Sequence, residues 1–120
     1  MTVQKNDPPL SDEAREARLL STAGFAARAG RIVPGTGLIC ESLRKGQILL
    51  VLEASDTSEN THKRLSDKTA FYDVPLLRLS ADGARLALAF GKKGGKIAAV
   101  GITDEGIVRA MQKYFPPSHE

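Results

Sequence analysis

The chain has 120 residues, 42% of them hydrophobic and 26% charged, with a formal net charge of +3 at neutral pH. This is the composition of one soluble globular domain, long enough to bury a core of Leu, Ile, Val and Ala without disulfides or metal. The only cysteine, Cys40, excludes an intrachain disulfide, no apolar run reaches the length of a membrane span, and a cytoplasmic setting without membrane attachment is the expectation.

Residues 1–10 are polar, hold the Pro8-Pro9 pair and carry no apolar signal core. They read as a disordered lead-in or linker, followed by a single domain over residues 11–115 and a tail over 116–120. Ser11 is placed to cap a helix with Asp12 and Glu13 in its first turn. That helix runs to about Ala29, with Ala14, Ala17, Leu20 or Ala23, and Ala27 as its apolar stripe and Gly30 as its end. Arg31-Ile32-Val33 is a short strand stopped by Pro34. Thr36 is the expected cap of a second helix through Lys45, with Leu38, Ile39, Ser42 and Leu43 on its buried side.

The run "QILLVLEAS" from Gln47 reads as a central strand covered on both faces. Ser58 opens a helix with Thr61, Leu65, Thr69 and Tyr72 on one side. Val74 to Leu79 is a strand, and Ser80 is the expected cap of a short helix through Phe90. Lys96 to Ile102 is another apolar strand. Thr103 is the expected cap of a last helix carrying Ile107, Met111 and Phe115. Helices and strands in alternation predict an α/β protein: a three-layer α/β/α sandwich around a small mixed sheet of about four strands.

Charge is unevenly distributed along this pattern. Between Arg28 and Gly46 lie Arg28, Arg31, Arg44 and Lys45 against Glu41 alone, and "GKKGGK" (Gly91 to Lys96) holds three lysines and no acid. The stretch Glu53 to Glu59 carries Glu53, Asp56 and Glu59 with no base. If the fold joins the two basic segments, they form one anion-attracting face.

Enzymatic chemistry finds little support. Gly35-Thr36-Gly37 begins a dinucleotide fingerprint, but Cys40 stands where the third glycine belongs, and no phosphate-binding Gly-Lys-Ser or Gly-Lys-Thr occurs. His62, His119 and Cys40 have no metal-ligand spacing, so no metal or cofactor is expected. Ser58, His62 and Asp67 share one helix at spacings that cannot chain a nucleophile to a base and an orienting acid. Cys40 reads as a small core residue, and His62, beside Lys63 and Arg64, as solvated. The chain is not expected to be an enzyme.

Gly35 and Gly37 remove side chains where a helix N-terminus opens, so backbone amides and the positive end of the dipole face outwards. A tight turn that needs glycine angles explains the same residues equally well. The "GKKGGK" loop pairs flexible glycines with cations and suits a phosphate backbone; a solvated, disordered connection is the other reading of the same residues.

The segments "LLSTAGFAARAGRIVPGTG", "ILLVLEASDTSENTHKRL", "VPLLRLS" and "IAAVGITDEGI" resemble the RNA-binding superfamily of archaeal ribosomal protein L-seven-Ae and eukaryotic ribosomal protein L-thirty, closest to its small bacterial ribosome-associated members. The likeness covers about Leu19 to Met111. It implies the sandwich fold, binding of structured RNA such as a kink-turn without catalysis, and an association with ribosomes or translation. It also implies contacts through Gly35 to Glu41 and Phe90 to Ile97. The candidate RNA-contact residues are therefore Gly35, Thr36 and Gly37 through backbone, and Arg28, Arg31, Lys92, Lys93 and Lys96 through charge.

Kink-turn binders of the family carry Gly-x-Asn-Glu-x-x-Lys at this helix start. Here Gly37, Leu38 and Glu41 occupy the Asn, Glu and Lys positions, so backbone and charge contacts survive while base-reading side chains do not. The implied partner is structured, ribosomal RNA, with a ribosome-associated protein as a second partner class. Two other readings remain open. One is a protein-interaction scaffold, or an accessory domain of a longer nucleic-acid-binding protein, that has lost kink-turn readout. The other is a small-anion or nucleotide binder using the Gly35 to Gly37 turn.

Overall fold

A computed structural model describes residues 10–116. The expected lead-in, apart from Leu10, and the tail beyond Pro116 lie outside the described residues. The elements are α1 (Asp12–Arg28), β1 (Ile32–Pro34), α2 (Thr36–Arg44), β2 (Leu50–Glu53), α3 (Glu59–Phe71), β3 (Leu76–Arg78), α4 (Gly83–Ala89), β4 (Ala99–Ile102) and α5 (Glu105–Met111), followed by a 3-10 turn at Gln112–Tyr114. The four strands form one mixed sheet in the order β1-β4-β2-β3. β4 is antiparallel to β1 and β2, and β3 is parallel to β2. The α/β/α sandwich read from the sequence is the fold observed.

Every residue of the two central strands is buried. Their side chains alternate between two cores, as the pleat requires. Leu50, Leu52, Val100 and Ile102 face Leu19, Leu20, Ala23, Leu86, Val108 and Met111 of α1, α4 and α5. Val51 and Ala99 face Ile39 and Leu43 of α2 and Leu65 of α3. The sheet is therefore covered on both sides by different helix layers.

Helix faces and caps follow the physics of individual residues and depart from the sequence expectation in places. In α1 the buried stripe is Leu19, Leu20, Ala23, Gly24 and Ala26. Ala17 is exposed and Ala14 and Ala27 only half-buried, because the leucines carry more apolar area and set the face. In α2 the buried pair is Ile39 and Leu43, four residues apart, while Leu38 is 60% exposed and Ser42 and Cys40 are half-buried. Cys40 is thus not the core residue expected.

The cap of α2 is Gly35 and not Thr36, which is already helical. Ser58 caps α3 as expected, accepting from the Thr61 amide at 3.1 Å. The cap of α4 is Asp82 rather than Ser80, its carboxylate accepting from the Arg85 amide at 2.9 Å. Asp104 rather than Thr103 caps α5. The Thr103 hydroxyl instead donates to the Arg31 carbonyl. In both cases an aspartate two or one residues closer to the helix outcompetes the hydroxyl.

Strands β2, β3 and β4 are shorter than expected, while β1 keeps its three residues, moved one position along. The Ile97 amide donates to the Gly83 carbonyl at 3.0 Å, and the Ala54 amide to the Ala98 carbonyl at 2.8 Å. Pro34 lies within β1, opposite Val100, tolerated because β1 is an edge strand.

The corrected caps give a direct test. Asp82→Ala is expected to lower the unfolding free energy by about 1 kcal/mol, and Ser80→Ala to stay within about 0.5 kcal/mol of wild type, measured by urea denaturation.

Candidate nucleic-acid interface

Strands β1 and β2 run in the same direction, since β4 is antiparallel to both. Helices α2 and α3 therefore start at one end of the sheet, the end where β4 begins. There the Gly35 amide donates to the Ala99 carbonyl at 3.1 Å, and Ala99 is paired in register with Glu53. The glycine turn thus meets the first residue of β4, three positions after Lys96. The basic residues of the first segment do not join the lysine loop there: Arg28 and Arg31 lie elsewhere, and Arg44 and Lys45 are at the far end of α2.

The two glycines have different reasons. Gly35 has φ of +96°, a left-handed conformation that explains the residue by itself. Gly37 has no such angle, and a Cβ placed on it would meet no atom within 4 Å. Neither turn geometry nor packing requires it. Its effect is to leave backbone bare in the first turn of α2. The first intrahelical bond runs from the Ile39 amide to the Gly35 carbonyl, so the amides of Thr36, Gly37 and Leu38 point past the helix end, where the dipole is positive.

Lys92, Lys93 and Lys96 are exposed. Among the described residues none of them has a carboxylate within 4 Å. The two upstream arginines are placed elsewhere. Arg31 precedes β1 at the opposite end of the sheet, its Nε 3.9 Å from an Asp104 carboxylate oxygen. Arg28 sits on the α1 side of the molecule, stacked 4.5 Å over the Phe25 ring. Glu41, at the position of the family lysine, pairs within its own helix with Arg44 at 2.9 Å and Lys45 at 3.7 Å. Its charge is compensated locally.

The site also contains a group that sequence reasoning missed. Glu53 closes β2 and is fully buried. Its carboxylate accepts a hydrogen bond from the Thr57 hydroxyl, lies 2.8 Å from His62 Nδ1 and 3.8 Å from Arg78 Nε. His62 is thus not simply solvated: one ring nitrogen is held by a buried acid. The signal was a lone carboxylate ending the apolar run Ile48 to Leu52, with a histidine nine residues on. The rest of the "ASDTSENT" turn is tied down as well, with Asp56 accepting from the Gly83 amide at 2.9 Å and Arg78 donating to the Ser55 carbonyl at 3.2 Å.

Residues 17–111 match the model of the Ribosomal protein L7Ae/L30e/S12e/Gadd45 family. The chain belongs to this family. Among its relatives, an RNA-binding protein YlxQ of Enterococcus faecium is 31% identical over 102 residues, covering 85% of this chain and 95% of the relative. An RNA-binding protein YlxQ of Bacillus subtilis is 34% identical over 88 residues, covering 73% and 85%. A solved Bacillus halodurans protein of unknown function superposes with a TM-score of 0.76 at 31% identity, over 82% of this chain and 96% of that one. The 15.5kD RNA binding protein of Giardia lamblia gives 0.73 at 18% identity, over 90% and 92%, a likeness of fold. The family match spans both the glycine turn and the lysine loop. It also includes Glu53 and His62, which the resemblance alone did not single out.

Removing the histidine leaves a buried carboxylate with fewer partners. His62→Ala is expected to destabilise the fold by about 1–3 kcal/mol, read as a lower denaturation midpoint with an unchanged slope.

Proposed function

We propose that this chain is a non-catalytic RNA-binding protein that holds folded RNA by its phosphates at the sheet end where α2 and β4 begin. The observation that carries this reading is the Gly35–Ala99 hydrogen bond, which ties an open helix N-terminus to the first residue of β4, three positions after Lys96 at the end of the lysine loop. Backbone amides of Thr36 and Gly37, in the turn opened by Gly35, orient a phosphate. Lys92, Lys93 and Lys96 supply the charge. Arg31 is left out of this surface because it faces Asp104 at the other end of the sheet. The relatives named as RNA-binding proteins support the ligand class, and a ribosomal or other translation-associated RNA is the natural substrate within such a family.

With Gly37, Leu38 and Glu41 where base-reading side chains would stand, recognition rests on RNA shape and phosphate position more than on sequence. A protein-scaffold reading is favoured by one feature, the 60% exposed Leu38 beside an internally paired Glu41. It predicts no RNA affinity even at low salt.

Titration against a labelled kink-turn, a straight duplex and a ribosomal RNA fragment at several salt concentrations separates these readings. Affinity should fall steeply with salt and favour a folded RNA. A variant with Lys92, Lys93 and Lys96 all changed to Gln is expected to remain folded, bind more weakly and flatten the dependence of log K on log salt by about 2 to 3. An unchanged slope in that folded variant removes the loop from the interface.

A further inference from the structure

The outer surface of α1 and α4 holds a feature that the phosphate site does not use. A groove of about 350 Å³ runs between the two helices. It is lined by Ala17, Ser21, Gly24 and Arg28 of α1 and by Arg85 and the exposed Leu88 of α4. Both arginines are exposed. Among the described residues neither guanidinium lies within 4 Å of a carboxylate.

We propose that this groove is a second phosphate-binding surface, which carries the RNA backbone onward from the lysine loop, with Arg28 and Arg85 as its two contacts. The inference rests on the RNA-binding reading and extends its footprint.

Three observations support it. First, the groove and the loop are continuous: α4 ends at Ala89, and the Lys92 amide donates back to the Ala87 carbonyl at 2.8 Å. Unpaired cations therefore run from the groove through Lys92 and Lys93 to Lys96. Second, the Arg28 guanidinium is pre-positioned, stacked on Phe25 with Nη1 3.8 Å from where a Gly24 Cβ would be. A stacked guanidinium keeps its planar edge free for phosphate oxygens. Third, two nearby acids are occupied. The Glu16 carboxylate accepts from the Ser80 and Ala81 amides, each at 2.8 Å, and Asp82 accepts from the Arg85 amide. Glu13 borders the adjoining recess, which Arg85 also lines.

An acidic face of a protein partner is the competing occupant. Continuity of charge with the lysine loop favours a polyanion that follows both, which is RNA.

The test compares two folded RNAs, one limited to the structured element and one extended by a helical turn of stem. Wild-type protein is expected to bind the longer RNA more tightly. The Arg28→Gln/Arg85→Gln double variant should lose that gain, with its salt slope on the longer RNA flattened by roughly 2, while its affinity for the shorter RNA stays unchanged. The double variant with lysines at both positions keeps the charge and should keep most of the slope.

Wild-type affinities that do not differ between the two RNAs overturn the inference. So does a glutamine variant that binds both RNAs like wild type, as does one that weakens equally on both. Equal losses in the lysine and glutamine variants would assign the arginines to packing and also overturn it. Absence of binding by wild-type protein to either RNA is a different failure, that of the RNA-binding reading itself. Loss of binding in the Lys92, Lys93 and Lys96 variant, without loss in the arginine variant, overturns the groove and leaves that reading standing.

Discussion

The antiparallel pair β2–β4 is the constraint on which the rest of the molecule depends. Each strand contributes only four residues, and all of them are buried. A strand hidden on both faces needs helices on both faces, which fixes the three layers. Strands this short also leave backbone groups at their ends that must find partners away from water. They find them in neighbouring loops: Gly35 to Ala99, Ala54 to Ala98, Ile97 to Gly83 and Ser55 to Ala81. The meeting of the glycine turn with the first residue of β4 follows from this requirement for backbone satisfaction.

The acidic stretch after β2 is bound by the same economy of partners. Read along the chain, Glu53, Asp56 and Glu59 would oppose the cations that meet at this end. In the fold Glu53 is buried among Thr57, His62 and Arg78, and Asp56 is spent on the Gly83 amide. A buried carboxylate is tolerated only with such partners. Glu53 is thereby removed from the surface, while Asp56 and Glu59 stay exposed.

Within the proposed function, this arrangement describes a protein that positions itself on RNA more than it reads sequence. Bare amides at Thr36 and Gly37 and exposed lysine side chains match phosphate oxygens of many sequences. The internally paired Glu41 neither attracts nor strongly repels a backbone next to it. Selectivity then comes from whether an RNA can present phosphates to the helix start and the loop at once, a property of its folded shape.

The order of elements, the sandwich, the family and the two glycine-bearing basic segments were legible in the sequence, because periodicity, turn residues and local charge are written in neighbouring positions. Ser58 as a cap, the double-sided burial of Val51 and Leu52, and the core place of Met111 could be read in this way. Other features depend on residues far apart in the chain. The exposure of Leu38, the pairing of Glu53 with His62, and the placing of Arg31 at the opposite end of the sheet from Gly35 are examples. Sequence spacing determined that Gly35 and Lys96 each flank a helix or strand end. Only the strand order β1-β4-β2 made those ends the same end, because an antiparallel β4 between two parallel strands brings its first residue beside the last residues of both.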